Sequence, residues 1–344
     1  MTSRSKQPPS EQDYIYKVIQ KEITMELSIA GTGKIVTEML QALDAVHTVT
    51  VKALFYHSNR SRAKAESLAA QYGINNVTDD FEHLLKPGMP PTVYLGLTNN
   101  AHFDYARRAL MAGKNVIVEK PFCTSAAEAG RLVQLAHERH LMLFEAVTTW
   151  HFTLFAKLRE LLPLLGTISL VNCNYSQRSS RYDRYLAHDV APAFDPALGG
   201  GALTDINVYN LDFVTGLFGE PDGTVYLPNR GFNGVDTSGV LLLSYPTMQA
   251  VCMGAKDADG PCFGLIEGDK GWIRVNDSVS RMGNMESCIE GEWKQWEEPA
   301  WPHRLCAEMK EIAAAVDSAD YSTMEKWIQM TIVAMRTLEK ARNS

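Results

Sequence analysis

The sequence has no long hydrophobic run and no block of basic residues. Its longest apolar stretch, Leu161 to Val171, is interrupted by proline, glycine, threonine and serine, and it is shorter than the ~18 residues that span a bilayer. Acidic residues outnumber lysines and arginines by 40 to 33, giving a net charge of −7, which disfavours binding to nucleic acid or anionic membranes. We therefore expect small-molecule partners, with no nucleic acid and no membrane.

Cysteine is also scarce and unclustered. The six cysteines are scattered singly, without a C-x-x-C pair or a group of cysteines and histidines, so the sequence predicts neither a metal site nor a disulfide framework. The polar opening from Thr2 to Asp13 has no apolar signal-peptide core. Both features favour a cytoplasmic protein.

The first clean strand begins only after Met25. We expect residues 1–24 to form a disordered extension. A second hypothesis is a misassigned start at Met1, because codons for Lys21 and Glu22 can form a ribosome-binding sequence just upstream of Met25.

Residues 25–147 alternate short β-branched runs with helical patterns, which predicts a Rossmann-type, doubly wound parallel sheet. The predicted strands are Leu27–Ala30, Val49–Tyr56, Val93–Leu97, Val116–Val118 and Leu141–Phe144. The predicted helices are Ile35–Leu43, Arg62–Tyr72, His102–Ala112 and Ala126–His140. The fold class is thus α/β in this half.

Residues 148–344 have a different texture, with one early strand and then short strand-like runs between turn signals. This pattern predicts an α+β domain with an open, largely antiparallel sheet. A helix is predicted over Ala202–Leu217, and a final helix pair over Arg304–Asp317 and Ser322–Lys340. We expect the last helix to pack back on the first domain.

The first strand leads directly into a glycine-containing turn and then a helix. The turn reads Gly31-Thr32-Gly33-Lys34-Ile35, with Val36 where a third glycine is usual. Such turns let backbone N–H groups approach a pyrophosphate at a helix N-terminus. The alternative is a tight structural turn without a ligand.

The segment after the second strand indicates which nicotinamide cofactor is bound. An NAD-preferring site places an acidic residue there for the ribose hydroxyls, but His57 to Arg62 contains none. Arg60 is suited to a 2′-phosphate, with Ser58 or Asn59 beside it. We therefore favour NADP over NAD, the alternative being a solvated loop arginine.

Polar residues follow two further strands, at the edge where such sheets bind ligands. They are Leu97-Thr98-Asn99 with His102, and Glu119-Lys120 followed by Pro121. Pro121 is a candidate for a cis peptide bond. The alternative is that the strands simply reach the surface there.

A glycine triplet opens the helix that carries Asp205 and Tyr209, four residues apart and thus on one face. A nearby lysine ammonium such as Lys120 stabilises a tyrosine phenolate, which suits proton transfer to or from a carbonyl or alcohol oxygen. Taken singly, Tyr209 is a packing residue and Asp205 a surface acid. Only the combination with Lys120 favours catalysis.

Together these motifs resemble the Gfo/Idh/MocA family from Met25 to the C-terminus, particularly its tyrosine-bearing members, the dimeric dihydrodiol dehydrogenases and glucose-fructose oxidoreductases. The resemblance implies an NAD(P)-dependent oxidoreductase acting on a hydroxyl or carbonyl of a sugar, cyclitol or related polyol, with a trans-dihydrodiol as a further possibility. It also implies that Lys120 polarises the substrate oxygen and that Tyr209 is the acid/base. The sequence departs from the family at Val36 and at Asn207, usually glycine.

The resemblance further implies a homo-oligomer, because the outer face of the second sheet needs cover. A loop rich in arginine and tyrosine precedes the glycine triplet, and Tyr175 and Arg178 are its first candidates for substrate contact. The alternative for each is a solvated surface position.

Two other functions remain open at this stage. One is a sensor or regulator that binds NAD(P) without turnover, and the other is a glycosidase that uses bound NAD transiently.

Overall fold

The computed structural model describes residues 25–344, and the extension expected over residues 1–24 lies outside them. The described chain forms a six-stranded sheet and an eight-stranded sheet, each with helices packed on it. The predicted fold class, a doubly wound parallel sheet followed by an α+β domain, is confirmed.

The first sheet has the order β3-β2-β1-β4-β5-β6, and all its strands are parallel. The strands are β1 Met25–Ala30, β2 Val49–Phe55, β3 Asn76–Thr78, β4 Thr92–Leu95, β5 Asn115–Glu119 and β6 Leu143–Ala146. The helices are α1 Lys34–Asp44, α2 Asn59–Tyr72, α3 Phe81–Leu85, α4 His102–Met111 and α5 Ala126–Arg139. Every residue of β4 is buried, as expected for a strand covered by helices on both faces.

Local chemistry explains most of these boundaries. Asp80 caps α3 by accepting a hydrogen bond from the Glu82 backbone N–H, and Ser125 caps α5 in the same way through Glu128. After α4, Gly113 adopts a positive φ of 79° that a side chain would disfavour. The elements β3 and α3 were not predicted, because three and five residues are too few to show a period.

The second half consists of helices α6 Thr153–Leu161, α7 Tyr182–Leu186, α8 Val208–Phe218, α9 Cys306–Asp317 and α10 Tyr321–Arg342, together with eight strands. The strands are β7 Ile168–Ser176, β8 Gly223–Arg230, β9 Asp236–Ser244, β10 Gln249–Ala255, β11 Phe263–Gly268, β12 Gly271–Val275, β13 Asn284–Ile289 and β14 Glu292–Glu297. Their order is β14-β13-β12-β11-β7-β10-β9-β8, and only β7 and β10 pair in parallel. The carboxyl ends of these two strands therefore lie side by side.

The predicted helix over 202–217 begins differently from expectation. Leu203–Asn207 forms a π-helical turn, and α8 starts after it. The Leu203 backbone N–H donates to the Asp236 carboxylate at 2.6 Å, which anchors the start of the turn. Single π turns are frequent at functional sites.

The last helix, α10, contacts both halves of the molecule. Its Glu325 carboxylate lies 2.9 Å from the His137 ring of α5, and the Tyr321 hydroxyl donates to the His140 carbonyl at 2.8 Å. At its other end, Lys340 pairs with Glu220, which lies between α8 and β8. None of the helices in residues 25–344 is both long and apolar enough to cross a membrane.

Candidate active site

A cavity of about 870 Å³ lies between the two sheets, at the carboxyl ends of their parallel strands. In the first sheet, β1 and β4 are neighbours, and the chain continues outward from them in opposite directions. This switch point is where open α/β sheets bind ligands. In the second sheet, residues that follow β7 and β10 form the opposite wall.

The glycine turn forms one end of the cavity. Gly31 has a φ of +121°, and a Cβ at this position would collide with the Gly96 carbonyl oxygen. Gly33 is the N-cap of α1 without a side-chain cap, and a Cβ there would meet nothing within 4 Å. Thr32, Lys34 and Ile35 also border the cavity. The N-terminus of α1 thus borders the cavity without a side-chain cap, an arrangement that fits the pyrophosphate of a dinucleotide.

Val36, which replaces the third glycine, is fully buried behind this turn. It packs against Gly96, where an added Cβ would lie only 2.6 Å from Val36 Cγ2. The extra side chain of Val36 therefore occupies the space that a side chain at position 96 would need. We conclude that the unusual valine is compatible with the phosphate turn.

The predicted 2′-phosphate residues lie at the start of α2, but they do not line the cavity. Arg60 is exposed, and the hydroxyl of Ser58, the N-cap of α2, lies 3.2 Å from that of Ser61. His57 and Ser61 border the cavity in place of Ser58, Asn59 and Arg60. No sequence motif singles out His57, which is held by the Tyr105 hydroxyl 3.1 Å from its Nδ1.

The segment after β4 contributes Leu97, Thr98 and Asn99 to the lining. The Asn99 amide donates to the Gly199 carbonyl at 2.8 Å, tying this segment to the second half. His102, in contrast, is fully buried and does not reach the cavity. Its ring nitrogens lie 3.0 Å from the Pro121 carbonyl and 3.3 Å from the Leu97 carbonyl, and burial lowers its pKa. In this structure His102 is a support for the site, contrary to the expected cofactor contact.

Glu119 and Lys120 leave β5 at the floor of the cavity, and the Lys120–Pro121 peptide bond is cis, as predicted. The Tyr94 hydroxyl donates to the buried Glu119 carboxylate at 2.6 Å. Burial raises the pKa of Glu119, although Tyr94 and Lys120 oppose this effect. The Glu119 carboxylate is therefore bound within the first domain by Tyr94, whereas the Lys120 side chain reaches the second domain.

Lys120 meets the π turn and α8 across the cavity. Its Nζ donates to the Asp205 backbone carbonyl at 2.8 Å and lies 3.6 Å from the Asp205 carboxylate. The same Nζ is 4.5 Å from the centre of the Tyr209 ring, within range of a cation–π contact. The structure thus brings together the three residues that the sequence analysis combined.

The charge states in this cluster differ in part from expectation. Burial raises the pKa of Tyr209, and the opposing charges of Lys120 and Arg304 do not reverse the shift. The phenolate stabilisation predicted from the sequence is therefore outweighed, and Tyr209 is a neutral phenol at neutral pH. Burial disfavours the charge of Lys120, but the neighbouring Asp205 and Glu119 carboxylates raise its pKa, and Lys120 stays protonated.

Two cations that the sequence analysis missed also line the cavity. Lys256 directly follows β10, its side chain is 2% exposed, and its Nζ lies 2.8 Å from the Asp205 carboxylate. Although burial acts in the opposite direction, Lys256 and Lys120 lower the pKa of Asp205 to about 2. Arg304 lies just before α9 and pairs with Glu38 of α1 at 2.9 Å. A lysine at the end of a strand was a visible signal for Lys256, but nothing local marked Arg304.

The substrate candidates Tyr175 and Arg178 both border the cavity. The Tyr175 ring centre is 5.9 Å from that of Tyr209. The Arg178 guanidinium forms two hydrogen bonds with Asp183, at 2.6 and 3.2 Å. Arg178 is therefore already paired, whereas Tyr175 stands beside the candidate acid. Within residues 25–344, no group of three or more metal-ligating side chains is assembled.

Comparisons with known proteins agree with this architecture. A family model described as "Oxidoreductase family, NAD-binding Rossmann fold" matches residues 25–147. A second model, the GFO/IDH/MocA C-terminal domain, matches residues 155–274. Together they span most of the chain.

Similar curated proteins include "scyllo-inositol 2-dehydrogenase (NADP(+)) IolU" of Bacillus subtilis, 26% identical over 92% of this chain and 96% of that protein. "Trans-1,2-dihydrobenzene-1,2-diol dehydrogenase" of Xenopus tropicalis is 30% identical over 72% of this chain and 74% of that protein. Among solved structures, KijD10, a 3-ketoreductase from Actinomadura kijaniata in complex with NADP, superposes with a TM-score of 0.78 at 21% identity, covering 93% of this chain and 97% of that one. This last similarity establishes the fold alone.

Proposed function

Because the chain belongs to the GFO/IDH/MocA family and is therefore an NAD(P)-dependent oxidoreductase, we propose that it acts on a hydroxyl or carbonyl of a sugar, cyclitol or related polyol. We further propose that Lys120 and Tyr209 handle the reacting oxygen. The observation that carries this proposal is their contact, with Lys120 Nζ 4.5 Å from the Tyr209 ring centre, in the cavity that begins at the glycine turn.

The cofactor is held by the first wall of the cavity. Gly31, Gly33 and the N-terminus of α1 take the pyrophosphate, and Lys34 adds a positive charge beside it. When bound, the nicotinamide supplies or accepts the hydride. The protein's own residues bind and orient the reactants and move the proton.

In the direction of reduction, a carbonyl oxygen needs a positive charge beside it and a proton donor. The Lys120 ammonium supplies the charge, and the neutral Tyr209 phenol donates the proton. Asp205 keeps Lys120 in place through its backbone carbonyl and its carboxylate. In these assignments Lys120 and Tyr209 have the roles that the family resemblance implies.

The raised pKa of Tyr209 predicts a direction-dependent pH profile. Alcohol oxidation requires the phenolate to accept a proton, so its rate should rise with pH up to the raised pKa of Tyr209. Carbonyl reduction uses the phenol, which is already the main form at neutral pH. A pH profile of kcat measured in both directions checks this, and identical profiles would contradict the assignment of Tyr209.

For the cofactor, we propose a preference for NADP. No acidic residue stands between His57 and Arg62 to bind ribose hydroxyls and repel a 2′-phosphate, and the similar inositol dehydrogenase from Bacillus subtilis is named for NADP(+). Parallel titrations with NADPH and NADH, followed by nicotinamide fluorescence, test the preference without knowledge of the substrate. Tighter NADH binding would overturn it, and binding of neither would contradict the cofactor site itself.

The first substrate screen follows from the names of the two similar dehydrogenases. An inositol and a dihydrobenzenediol both carry neighbouring secondary hydroxyls on a six-membered carbon ring. We therefore propose that ring polyols and their ketones are the class to test first. A glycosidase of this fold would instead release the alcohol from an aryl glycoside without net change in the cofactor.

The catalytic proposal is tested with Lys120→Met and Tyr209→Phe. Each should lower kcat/KM by about 10²-fold or more, since general acid catalysis contributes on this order, while the Kd for NADPH stays unchanged. Lys157→Met and Tyr72→Phe are matched controls, because neither residue borders the cavity. Turnover in the first pair equal to that in the controls would refute the assigned roles.

We also propose that two copies associate through the outer face of the second sheet. Leu170, Val225, Leu227 and Leu242 lie on this face, each between 37% and 57% exposed. A second copy would remove these side chains from water, and two copies related by a two-fold axis would contact each other through this same patch. Light scattering should give twice the chain mass, and Leu242→Glu should give the monomer; a monomeric wild type would contradict the proposal.

A further inference from the structure

The cavity carries a charge opposite to that of the whole molecule. Seven lysines and arginines border it, against three carboxylates, whereas the complete chain has 33 against 40. A cleft lined by one sign of charge concentrates ligands of the opposite sign. The cofactor phosphates account for the excess of positive charge near the glycine turn, but not for that on the opposite wall.

Part of the positive charge belongs to the cofactor side of the cavity. Lys34 and Arg304 both approach Glu38 of α1, at 3.5 and 2.9 Å. These residues lie beside the glycine turn, and one carboxylate is shared between them. The pyrophosphate at the N-terminus of α1 supplies the remaining negative charge there.

The opposite wall holds a second excess that the cofactor phosphates do not explain. Lys120 and Lys256 share the single carboxylate of Asp205. The Lys256 ammonium also contacts the Ala193 carbonyl and lies 4.1 Å from the centre of the Phe194 ring. Because this buried ammonium uses Asp205 as its partner, Asp205 has little capacity left to neutralise a third cation.

Arg181 is that third cation. It borders the cavity, and it has no carboxylate within 4.0 Å among residues 25–344, unlike Arg178 and Arg184, which pair with Asp183 and Asp189. A guanidinium without a partner at the wall of a cavity is suited to a planar carboxylate or to a phosphate.

The fold places Arg181 on the substrate side. The loop that carries it leaves β7, and its Ser179 backbone N–H donates to the Lys256 carbonyl at 2.8 Å. Arg181 is also close enough to Asp205 for its charge to lower the pKa of that carboxyl. The ribose end of the cofactor site lies instead beyond β2 in the other sheet, beside His57 and Ser61.

We infer that the substrate carries an anionic group, a carboxylate or a phosphate, and that Arg181 binds it. This inference rests on the proposed function, and it narrows the proposed class of sugars, cyclitols and related polyols to those that carry a carboxylate or a phosphate. Lys256 acts as a positioning residue, since it holds Asp205 against Lys120 while the anion binds next to it. Ser179 and Ser180, which also border the cavity, offer hydroxyl groups to the same anion.

The test uses glucose, glucuronate and glucose 6-phosphate, which share one ring and differ only at the sixth carbon. Each is titrated into the complex with saturating NADPH, and binding is followed by nicotinamide fluorescence. Glucuronate or glucose 6-phosphate should bind at least tenfold more tightly than glucose, and the tighter of the two identifies the anion. Arg181→Met should remove this preference, and Arg181→Lys should retain part of it.

Arg107→Met is the matched control, because Arg107 lies on α4 outside the cavity. Equal responses to the three compounds, including no response, would overturn the inference, as would an anion preference that survives Arg181→Met. A selective loss of NADPH affinity in Arg181→Met would assign the residue to the cofactor and would also overturn it. Since binding needs no hydride transfer, failure of the catalytic proposal would be seen separately, as intact binding without turnover.

Discussion

The contact between Val36 and Gly96 makes a quantitative prediction. In Gly96→Ala the new Cβ would lie 2.6 Å from Val36 Cγ2 and 3.1 Å from Tyr94 Cε1, whereas carbon atoms pack best at about 3.5–4.0 Å. Val36 is fully buried in the first turn of α1, and β-branched side chains have essentially one rotamer in a helix. Relief must therefore come from a shift of α1 relative to β4. Overpacking of this kind costs about 1–3 kcal/mol.

The shift should also be felt by the cofactor. Ile35, next to Val36, borders the cavity, and its Cγ2 would lie 3.5 Å from the new methyl group. A loss of about 1.4 kcal/mol in the phosphate turn corresponds to a tenfold weaker Kd. We expect Gly96→Ala to weaken NADPH binding by about this factor.

The assay is a double-mutant cycle of wild type, Gly96→Ala, Val36→Ala and the double variant. Unfolding in urea gives the stability of each protein, and fluorescence titration gives its Kd for NADPH. Val36→Ala removes Cγ2, so Gly96→Ala should cost at least about 1 kcal/mol less in that background. Gly130→Ala in α5 is the control, since its Cβ would meet nothing within 4 Å.

Additive effects of the two substitutions, within about 0.5 kcal/mol, would refute the reasoning. They would mean that Gly96 is not what accommodates Val36. A cost of Gly130→Ala as large as that of Gly96→Ala would also count against it, because alanine normally stabilises a helix interior relative to glycine.

Three further predictions concern other parts of the structure. Burial and the Glu119 charge raise the pKa of Glu308 to about 8 from an ordinary value of 4.5. Between these two pH values the folded protein holds a proton that the unfolded chain has lost, so stability should fall as pH rises from about 4.5 to 8. Glu308→Gln should flatten this part of a Tm-against-pH curve. Lys256→Met removes a cation that holds the pKa of Asp205 at about 2, so the acid limb of the kcat/KM profile should move to higher pH. Gly254→Ala would place a Cβ 2.6 Å from that of Asn207, and urea unfolding should show a loss of about 1–3 kcal/mol.

Features that depend on a few consecutive residues could be predicted from the sequence. Alternating strands and helices gave the first sheet, and the glycine turn and Lys120 with Tyr209 were found because each belongs to a motif of a few residues. Lys256 and Arg304 were missed because they reach the cavity only after distant segments fold together. The pKa of Tyr209 was misjudged for a similar reason, since burial depends on the complete fold. His102 is the reverse case, since a residue in the expected place is buried against the Pro121 and Leu97 carbonyls and does not border the cavity.

The two departures from the family pattern share a physical explanation. Val36 is accommodated by Gly96, and Asn207, whose side chain donates to the Cys252 carbonyl at 3.0 Å, faces Gly254. In each case a side chain gained at one position faces a glycine at or just beyond the carboxyl end of a neighbouring strand. A single sequence shows the gain, but only the structure shows its partner.

The contacts of α10 limit how ligands can enter. Near its start the helix is tied to α5 through Glu325 and Tyr321, and its Arg342 donates to the Thr124 carbonyl at 2.6 Å, while Lys340 binds Glu220 of the second half. The helix thus connects the two domains along its whole length, and a hinge motion that opened the cavity would break these contacts. The segment 177–201 also borders the cavity, and it meets the first half through smaller contacts such as that of Asn99 with Gly199. We therefore expect cofactor exchange to depend more on this segment than on a hinge motion between the two domains.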